Sequence, residues 1–372
     1  MSTMAIVRSF GLRPFDVNFF ESCDRFEILF IHCLPRELNS TNSKSIQLKL
    51  EPIFPLDPLP RLSGKYNLIN LSSLAYLRNL ENHLKSVDCI NTIETHFFLS
   101  RQCAKISRKL GKKLIIMVSQ NLLNHPAKYF PPYCWNTRTV VKSADLFIAI
   151  SQKAKYYLES LSVDKEKIRV IPPGVNVDNF CPPAKKQNDR PRILFVGNLY
   201  ESKGLPELLK ADAQLHKAGF DHELWICGGG HLEPLVHEYS RKYPVRYLGF
   251  VNYEKLPEIY RECDIFCLPS RDFRILGMKI GEEQFGFTFI EAMSSALPIV
   301  TTNSGAIPEV VGSANIVVRK GSVTQLFDAL KGLICNENER IRIGRSNRER
   351  VEKFFEIKKQ SEKFQNEIKR LL

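Results

Sequence analysis

Ile193-Leu194-Phe195-Val196-Gly197-Asn198-Leu199-Tyr200-Glu201-Ser202-Lys203-Gly204-Leu205-Pro206 reads as one complete strand, turn and helix start. The four apolar residues suit a buried strand, Gly197 opens a tight turn, and Pro206 fits the first turn of a helix. The step recurs downstream, with strands expected at 223–227, 245–248, 264–268 and 299–302. Upstream, 26–32, 114–118, 146–150 and 168–171 form an earlier series. Short apolar strands alternating with helical stretches imply parallel sheets covered by helices. Pro172-Pro173 and Pro182-Pro183 bracket a loop, and the polar stretch 184–191 after it is the expected linker. Two doubly wound, Rossmann-like α/β domains follow, over 1–183 and 184–350. Val351, Phe354, Ile357, Phe364, Ile368 and Leu371 then mark an amphipathic C-terminal helix over 351–372.

Composition agrees with this division. A chain of 372 residues exceeds what one core usually organises, and 44% apolar residues are ample for two. No apolar run approaches the roughly 18 to 20 residues of a membrane span, and no basic segment precedes a signal-like core, so a cytoplasmic protein is expected. The ten cysteines are scattered, with Cys263-x-x-x-Cys267 the one close pair, and they are read as thiols rather than metal ligands. The net charge of +13 is uneven: Arg101, Lys105, Arg108, Lys109, Lys112, Lys113, Lys128, Arg138, Lys142, Lys153 and Lys155 stand against Asp145 alone between 101 and 155. Helical spacing places Arg101, Lys105, Arg108, Lys109 and Lys112 on one face, which suits either an anionic membrane surface met through 101–113 or plain solvation. No nucleic-acid reader motif accompanies these charges, and nucleic acid is not an expected partner.

The chemistry concentrates in Glu282-Glu283-Gln284-Phe285-Gly286-Phe287-Thr288-Phe289-Ile290-Glu291-Ala292-Met293. Glu283 and Glu291 stand eight apart around a Phe-Gly turn where a helical pattern begins. Amides of Gly286, Phe287 and Thr288 at a helix N-terminus suit an anion, and carboxylates on either side suit sugar hydroxyls. Thr288-Phe289-Ile290-Glu291 also matches a capping box, in which Glu291 would bond backbone amides instead. Lys203, after Gly197 and Asn198, is placed to reach a diphosphate.

The run from Glu283 to Glu291 resembles the two-glutamate signature of retaining glycosyltransferases of family 4, which have the GT-B fold with a cleft between two domains. Ala144-Asp145 through Ser151, and Glu166 through Asn176 with Phe180, resemble the family's stretch into the interdomain hinge. The resemblance implies that Lys203 and Glu283 act in catalysis and that Glu291 holds ribose. It also implies that Phe250 and Val251 lie at the nucleobase, and that Asn303-Ser304-Gly305-Ala306-Ile307-Pro308-Glu309 places Glu309 beside the donor. Asn198 stands where relatives carry an arginine. The first 90 residues match less well: Gly11 and Arg13 stand in for a glycine-rich phosphate loop, and Glu94-Thr95-His96 puts His96 where relatives hold a histidine near the reacting sugar. An insertion over 271–281 offers Arg271, Arg274 and Lys279 to an anionic acceptor or to solvent.

The implied activity is transfer of a hexosyl unit from a UDP- or GDP-linked sugar to a glycan or lipid-linked acceptor, with retention, no cofactor and no essential metal. The expected place is the cytoplasm, at the inner face of the membrane; the alternative is a catalytically silent nucleotide-sugar-binding protein at the membrane, with a nucleotide-sugar epimerase as the weaker third reading.

Overall fold

In the computed structural model, which describes residues 1–9, 12–33, 43–52, 75–184, 188–275 and 277–372, the chain forms two compact units. Unit 1 comprises Met1–Pro173 and Lys358–Leu372. Its strands are β1 (Ser2–Val7), β2 (Phe26–His32), β3 (Ser43–Gln47), β4 (Leu50–Pro52), β5 (Ala75–Leu77), β6 (Cys89–Ile93), β7 (Lys113–Val118), β8 (Leu146–Ala149) and β9 (Ile168–Val170). Its helices are α1 (Pro14–Glu21), α2 (Leu80–Leu84), α3 (Phe98–Leu110), α4 (Tyr133–Ser143) and α5 (Gln152–Ser160). Seven strands make a parallel sheet in the order β3-β2-β1-β6-β7-β8-β9, and β4 and β5 pair apart from it. β1, β6, β7 and β8 are almost wholly buried, as apolar runs covered on both faces must be.

Unit 2, Gly174–Ile357, contains β10 (Arg192–Val196), β11 (Glu223–Cys227), β12 (Val245–Gly249), β13 (Ile265–Leu268), β14 (Phe273–Ile275), β15 (Met278–Gly281), β16 (Ile299–Thr302) and β17 (Ile316–Val318). The helices are α6 (Leu205–Lys217), α7 (Glu233–Ser240), α8 (Leu256–Glu262), α9 (Phe287–Ser294), α10 (Ile307–Val311), α11 (Val323–Cys335) and α12 (Glu337–Phe354), and α13 (Ile357–Leu371) belongs, beyond its first residue, to unit 1. The parallel sheet runs β12-β11-β10-β13-β16-β17. In both sheets strand order reverses beside the first strand, at β1/β6 and at β10/β13. Crevices for ligands open outside the carboxyl ends of such strands. Within the insertion, Phe273–Ile275 and Met278–Gly281 pair as the β14/β15 hairpin, with Arg271 paired to Glu207 at 2.5 Å, Arg274 donating to the Gly277 carbonyl at 2.8 Å, and Lys279 paired to Glu282 and Asp272.

Three sequence expectations change. The chain leaves unit 1 after Pro173, ten residues before the expected boundary at 183, because the segment after it belongs to unit 2's core: Phe180 is buried there against Tyr260, with ring centroids 5.6 Å apart. The run 351–372 is two helices rather than one. Val175 donates to the Phe355 carbonyl at 2.8 Å and accepts from Ile357 at 3.0 Å, and this local pairing interrupts the helix between α12 and α13. Val351 therefore packs in unit 2, while Phe364 of α13 meets Phe19 and Phe20 of α1 in unit 1 at 5.6 and 5.7 Å. Finally, α3 stops at Gly111 in the left-handed conformation, so Lys112 lies beyond the helix. Lys109 pairs with Glu81 at 2.7 Å, Arg101 donates to Asn136 at 3.3 Å and Arg108 donates to Ser143 at 2.9 Å, while Lys105 and Arg108 keep their side chains exposed on that face.

Candidate functional site

At the β10/β13 reversal in unit 2 the turn after β10 carries Lys203, and Ser270 follows β13. Glu283 lies just beyond the hairpin, and the three side chains converge. Lys203 Nζ lies 2.6 Å from Glu283 Oε2, and Ser270 Oγ donates to the same oxygen at 2.8 Å. Backbone packing holds them in place. A Cβ on Gly204, at φ +72°, would stand 2.0 Å from the Pro269 carbonyl oxygen, and one on Gly305, at φ +55°, would stand 1.8 Å from that of Glu283. Only glycine permits both approaches. Burial pushes the Glu283 carboxyl up, but the Lys203 charge and the bonds from Lys203 and Ser270 outweigh it, so the group sits below its ordinary range and is a carboxylate. A second layer supports the loop: Asp272 accepts from Ser304 at 3.1 Å and pairs with Lys320 at 2.8 Å, and the Glu283 carbonyl accepts from Ala306 at 2.9 Å.

Glu283 leads into α9. Its N-cap is Gly286, at φ +80°, and no side chain among the described residues caps the helix. Its first amides therefore form an anion-favouring end, four residues past the Glu283 that Lys203 contacts. Thr288 is partly exposed there. The capping-box alternative fails, because Glu291 faces inward: Tyr260 Oη donates to its Oε2 at 2.9 Å. Burial pushes the Glu291 pKa up to about 7, with the Tyr260 bond opposing the rise. Phe285 is buried and packs against Phe355 at 5.9 Å, so its side chain serves the core. Gly197 follows β10 with its amide bonded to the Cys227 carbonyl at 3.0 Å, while Asn198 is exposed. Phe250, after β12, is 82% exposed, Val251 is partly exposed, and Glu309 lies in the first turn of α10.

Unit 1 gathers a different set at its own reversal. His96, just after β6, is buried, and burial, aided by nearby His125, drives its pKa down to about 3, so its ring is neutral. Glu94 holds a positive φ of 60° and accepts from the Ser119 amide at 2.9 Å and the Gln120 amide at 3.2 Å. Its Oε2, Ser9 Oγ, Asn91 Nδ2 and His96 Nδ1 are buried with no hydrogen-bond partner among the described residues. Unmet buried polar groups are unusual in a folded interior, and those that follow strand ends suit a hydroxylated ligand. Arg13 is half-exposed and bonds Asp16 at 3.4 Å, and Gly11 lies outside the described residues.

Several side chains here escape sequence reading. Arg8, just after β1, is fully buried, 3.6 Å from Asp16 and 3.1 Å from Asn91 Oδ1. A basic residue after an apolar strand was its one visible signal. Tyr260 and Ser270 gave none, because their roles come from residues 31 and 13 positions away.

Residues 178–350 match the family model of glycosyl transferases group 1, and residues 43–179 match that of Glycosyltransferase Family 4. The chain is similar to the D-inositol 3-phosphate glycosyltransferase of Corynebacterium jeikeium, 30% identical over 230 residues that cover 55% of this chain and 52% of that protein. It is also similar to the GDP-mannose-dependent alpha-(1-6)-phosphatidylinositol monomannoside mannosyltransferase of Mycobacterium tuberculosis, 28% identical over 229 residues covering 58% and 59%. The chain thus spans 52 to 59% of the length of these curated relatives. Among solved structures, Anabaena Alr3699/HepE in complex with UDP and glucose aligns with TM-score 0.74 at 14% identity, over 99% of this chain and 100% of that one. Sucrose-phosphate synthase from Thermosynechococcus elongatus aligns with TM-score 0.74 at 18% identity, over 100% and 99%. At such identities the likeness shows the fold. Among the described residues, no helix is long and apolar enough to cross a membrane.

Proposed function

Since the chain belongs to the glycosyltransferase family described by these two models, with its GT-B fold, we propose that it transfers a hexosyl unit from a nucleotide-diphosphate sugar to a glycan or lipid-linked acceptor, with retention. The observation that carries the proposal is the convergence of Lys203, Ser270 and Glu283 beside the uncapped start of α9, at the strand-order reversal of unit 2. Cation and helix amides together suit a diphosphate, and the neighbouring carboxylate suits sugar hydroxyls.

In this reading the Lys203 ammonium and the α9 amides stabilise charge that develops on the leaving diphosphate. Glu283, released from Lys203 when phosphate takes its place, accepts from sugar hydroxyls and steadies positive charge near the anomeric carbon. Glu291, anchored by Tyr260, accepts from the ribose, while Phe250, Val251 and Glu309 flank the donor. The bond from the anomeric carbon to the diphosphate oxygen breaks as the acceptor oxygen bonds on the same face. The acceptor's proton passes to a donor phosphate oxygen. No cofactor or metal is drawn on. His96, neutral and with an unmet nitrogen, serves an acceptor or sugar hydroxyl.

Support for the donor class comes from the UDP and glucose bound to HepE and the GDP-mannose named for the mycobacterial relative. Phosphatidylinositol monomannoside, named for the same relative, supports a lipid-linked acceptor, and exposed Lys105 and Arg108 suit an anionic membrane surface. The second reading, a silent nucleotide-sugar-binding protein, is favoured by exposed Asn198 in place of the family's arginine. The test incubates purified protein with UDP-, GDP- and ADP-sugars, with and without a lipid extract, and compares nucleotide release with Glu283→Ala. Release from one donor, raised by lipid and absent in the folded variant, is expected. Donor binding with no release in any combination would transfer the reading to the silent protein.

A further inference from the structure

Unit 2 also holds a compact group of metal-ligating side chains away from Lys203 and Glu283 in sequence and in their contacts. Asp212 and His216 stand one helical turn apart on α6, and His222 lies between α6 and β11. One carboxylate oxygen and two imidazole nitrogens lie within 4.8 Å of one another. Asp212 and His222 are wholly buried, and His216 is 14% exposed.

Hydrogen-bond roles in this group do not close without a cation. His222 Nδ1 is 2.9 Å from the Phe220 carbonyl oxygen, an acceptor, so Nδ1 carries the hydrogen. In the neutral ring Nε2 then presents a lone pair, and it faces Asp212 Oδ1 at 2.9 Å, another acceptor. Two lone pairs at this separation repel unless a positive charge lies between them. The other carboxylate oxygen is also left without a hydrogen bond. His216 Nε2 stands 3.7 Å from Asp212 Oδ2, and neither buried atom has a hydrogen-bond partner among the described residues. The two rings lie face to face, 3.9 Å apart and 7° from parallel, with both Nε2 atoms turned to the one carboxylate.

We propose that Asp212, His216 and His222 bind one divalent transition-metal ion of the zinc class. Bonds of about 2.1 Å to histidine nitrogen and carboxylate oxygen put tetrahedral ligand atoms about 3.4 Å apart. The observed separations, 2.9 Å to Oδ1 and 3.7 Å to Oδ2, bracket that value, and rotation of the partly exposed His216 ring out of the stack turns both in-plane lone pairs onto one ion beside the carboxylate. Two imidazoles with one carboxylate favour zinc-class ions over calcium or magnesium, which take oxygen ligands. The Phe220 carbonyl fixes the His222 tautomer, as partners of metal-bound histidines do. An added proton on His222 would satisfy Asp212 Oδ1 but leave Oδ2 and His216 Nε2 unmatched, whereas one metal ion answers all three. Water at the open edge of His216 supplies the fourth ligand. The ion ties the last turn of α6 to the entry of β11, a structural role.

The test uses the metal-free full chain with Cys335→Ser, which removes the exposed thiol. Zn2+ is titrated by calorimetry, and Co2+ is added to read visible d–d bands. One ion per chain, Co2+ bands typical of nitrogen and oxygen ligands, and a rise in Tm with Zn2+ are expected. His216→Ala, at the partly exposed corner, keeps the fold by circular dichroism and binds at least about tenfold more weakly. No Zn2+ uptake by the parent chain overturns the site, and so does equal uptake by folded His216→Ala. A doubly protonated His222 in Zn2+-saturated protein, seen by nitrogen NMR, overturns it as well.

Discussion

Replacing Glu291 by glutamine should change how the stability of unit 2 depends on pH. The Glu291 carboxyl is 5% exposed, takes a hydrogen bond from Tyr260 Oη at 2.9 Å, and is raised by burial from 4.5 to about 7. A raised acid pKa means that the folded chain keeps a proton which the unfolded chain has released. Stability tied to this group is therefore whole below pH 4.5 and is lost as pH rises through 7. At 1.36 kcal/mol per pKa unit, the rise corresponds to about 3 kcal/mol, an upper figure because water can enter near α9. The glutamine side chain keeps the volume and can accept from Tyr260 through its amide oxygen, but it cannot ionise. Relative to wild type, Glu291→Gln should gain about 3 kcal/mol between pH 4.5 and pH 8. Trp225 on β11 is 2% exposed and reports unit 2, so urea unfolding is followed by its fluorescence in a Trp135→Phe background. With a urea slope of about 2 kcal/mol/M, the midpoint difference should open by roughly 1.5 M across that range. Parallel midpoints from pH 4.5 to 8 would refute the burial argument and leave Glu291 an ordinary, ionised carboxylate.

Two further outcomes follow from the geometry. Gly305→Ala sets a Cβ 1.8 Å from the Glu283 carbonyl oxygen at a φ of +55°, so the Glu283 backbone must move; we expect about 2 kcal/mol or more of destabilisation in unit 2 and loss of nucleotide release, and wild-type stability would show that the loop yields freely. In unit 1, His96 is held neutral with a pKa of about 3, so its contribution to stability is present above 6.5 and is lost as pH falls toward 3. By pH 5 the loss is about 2 kcal/mol, and His96→Gln should remove it; amide exchange in α3 and α4, compared at pH 7 and 5, measures the difference, and equal acid losses in both proteins would contradict it.

Much of the fold was legible because the strands are parallel and buried on both faces, which forces them to be apolar. The runs 26–32, 223–227 and 299–302 coincide with β2, β11 and β16 end to end. Helix ends were less legible. The apolar period of 351–372 passes unbroken through Phe355, and the break arises from pairing with Val175, nearly half the chain away. Likewise, spacing alone makes Thr288 and Glu291 a capping box, and only Tyr260, 31 residues earlier, draws Glu291 inward.

The site shows the same division between position and partnership. Lys203, Glu283 and Glu291 could be singled out because each follows a turn at a strand's carboxyl end or opens a helix there, and these are local features. That Lys203 and Glu283 touch depends on β10 lying beside β13, with Gly204 seated on Pro269 and Gly305 on the Glu283 carbonyl. Once that neighbourhood forms, the ion pair has a physical consequence. A largely buried carboxylate at 2.6 Å holds the Lys203 ammonium beside Glu283 and compensates its charge. The pair therefore holds Glu283 ionised, and sequence shows the two charges without showing that they meet.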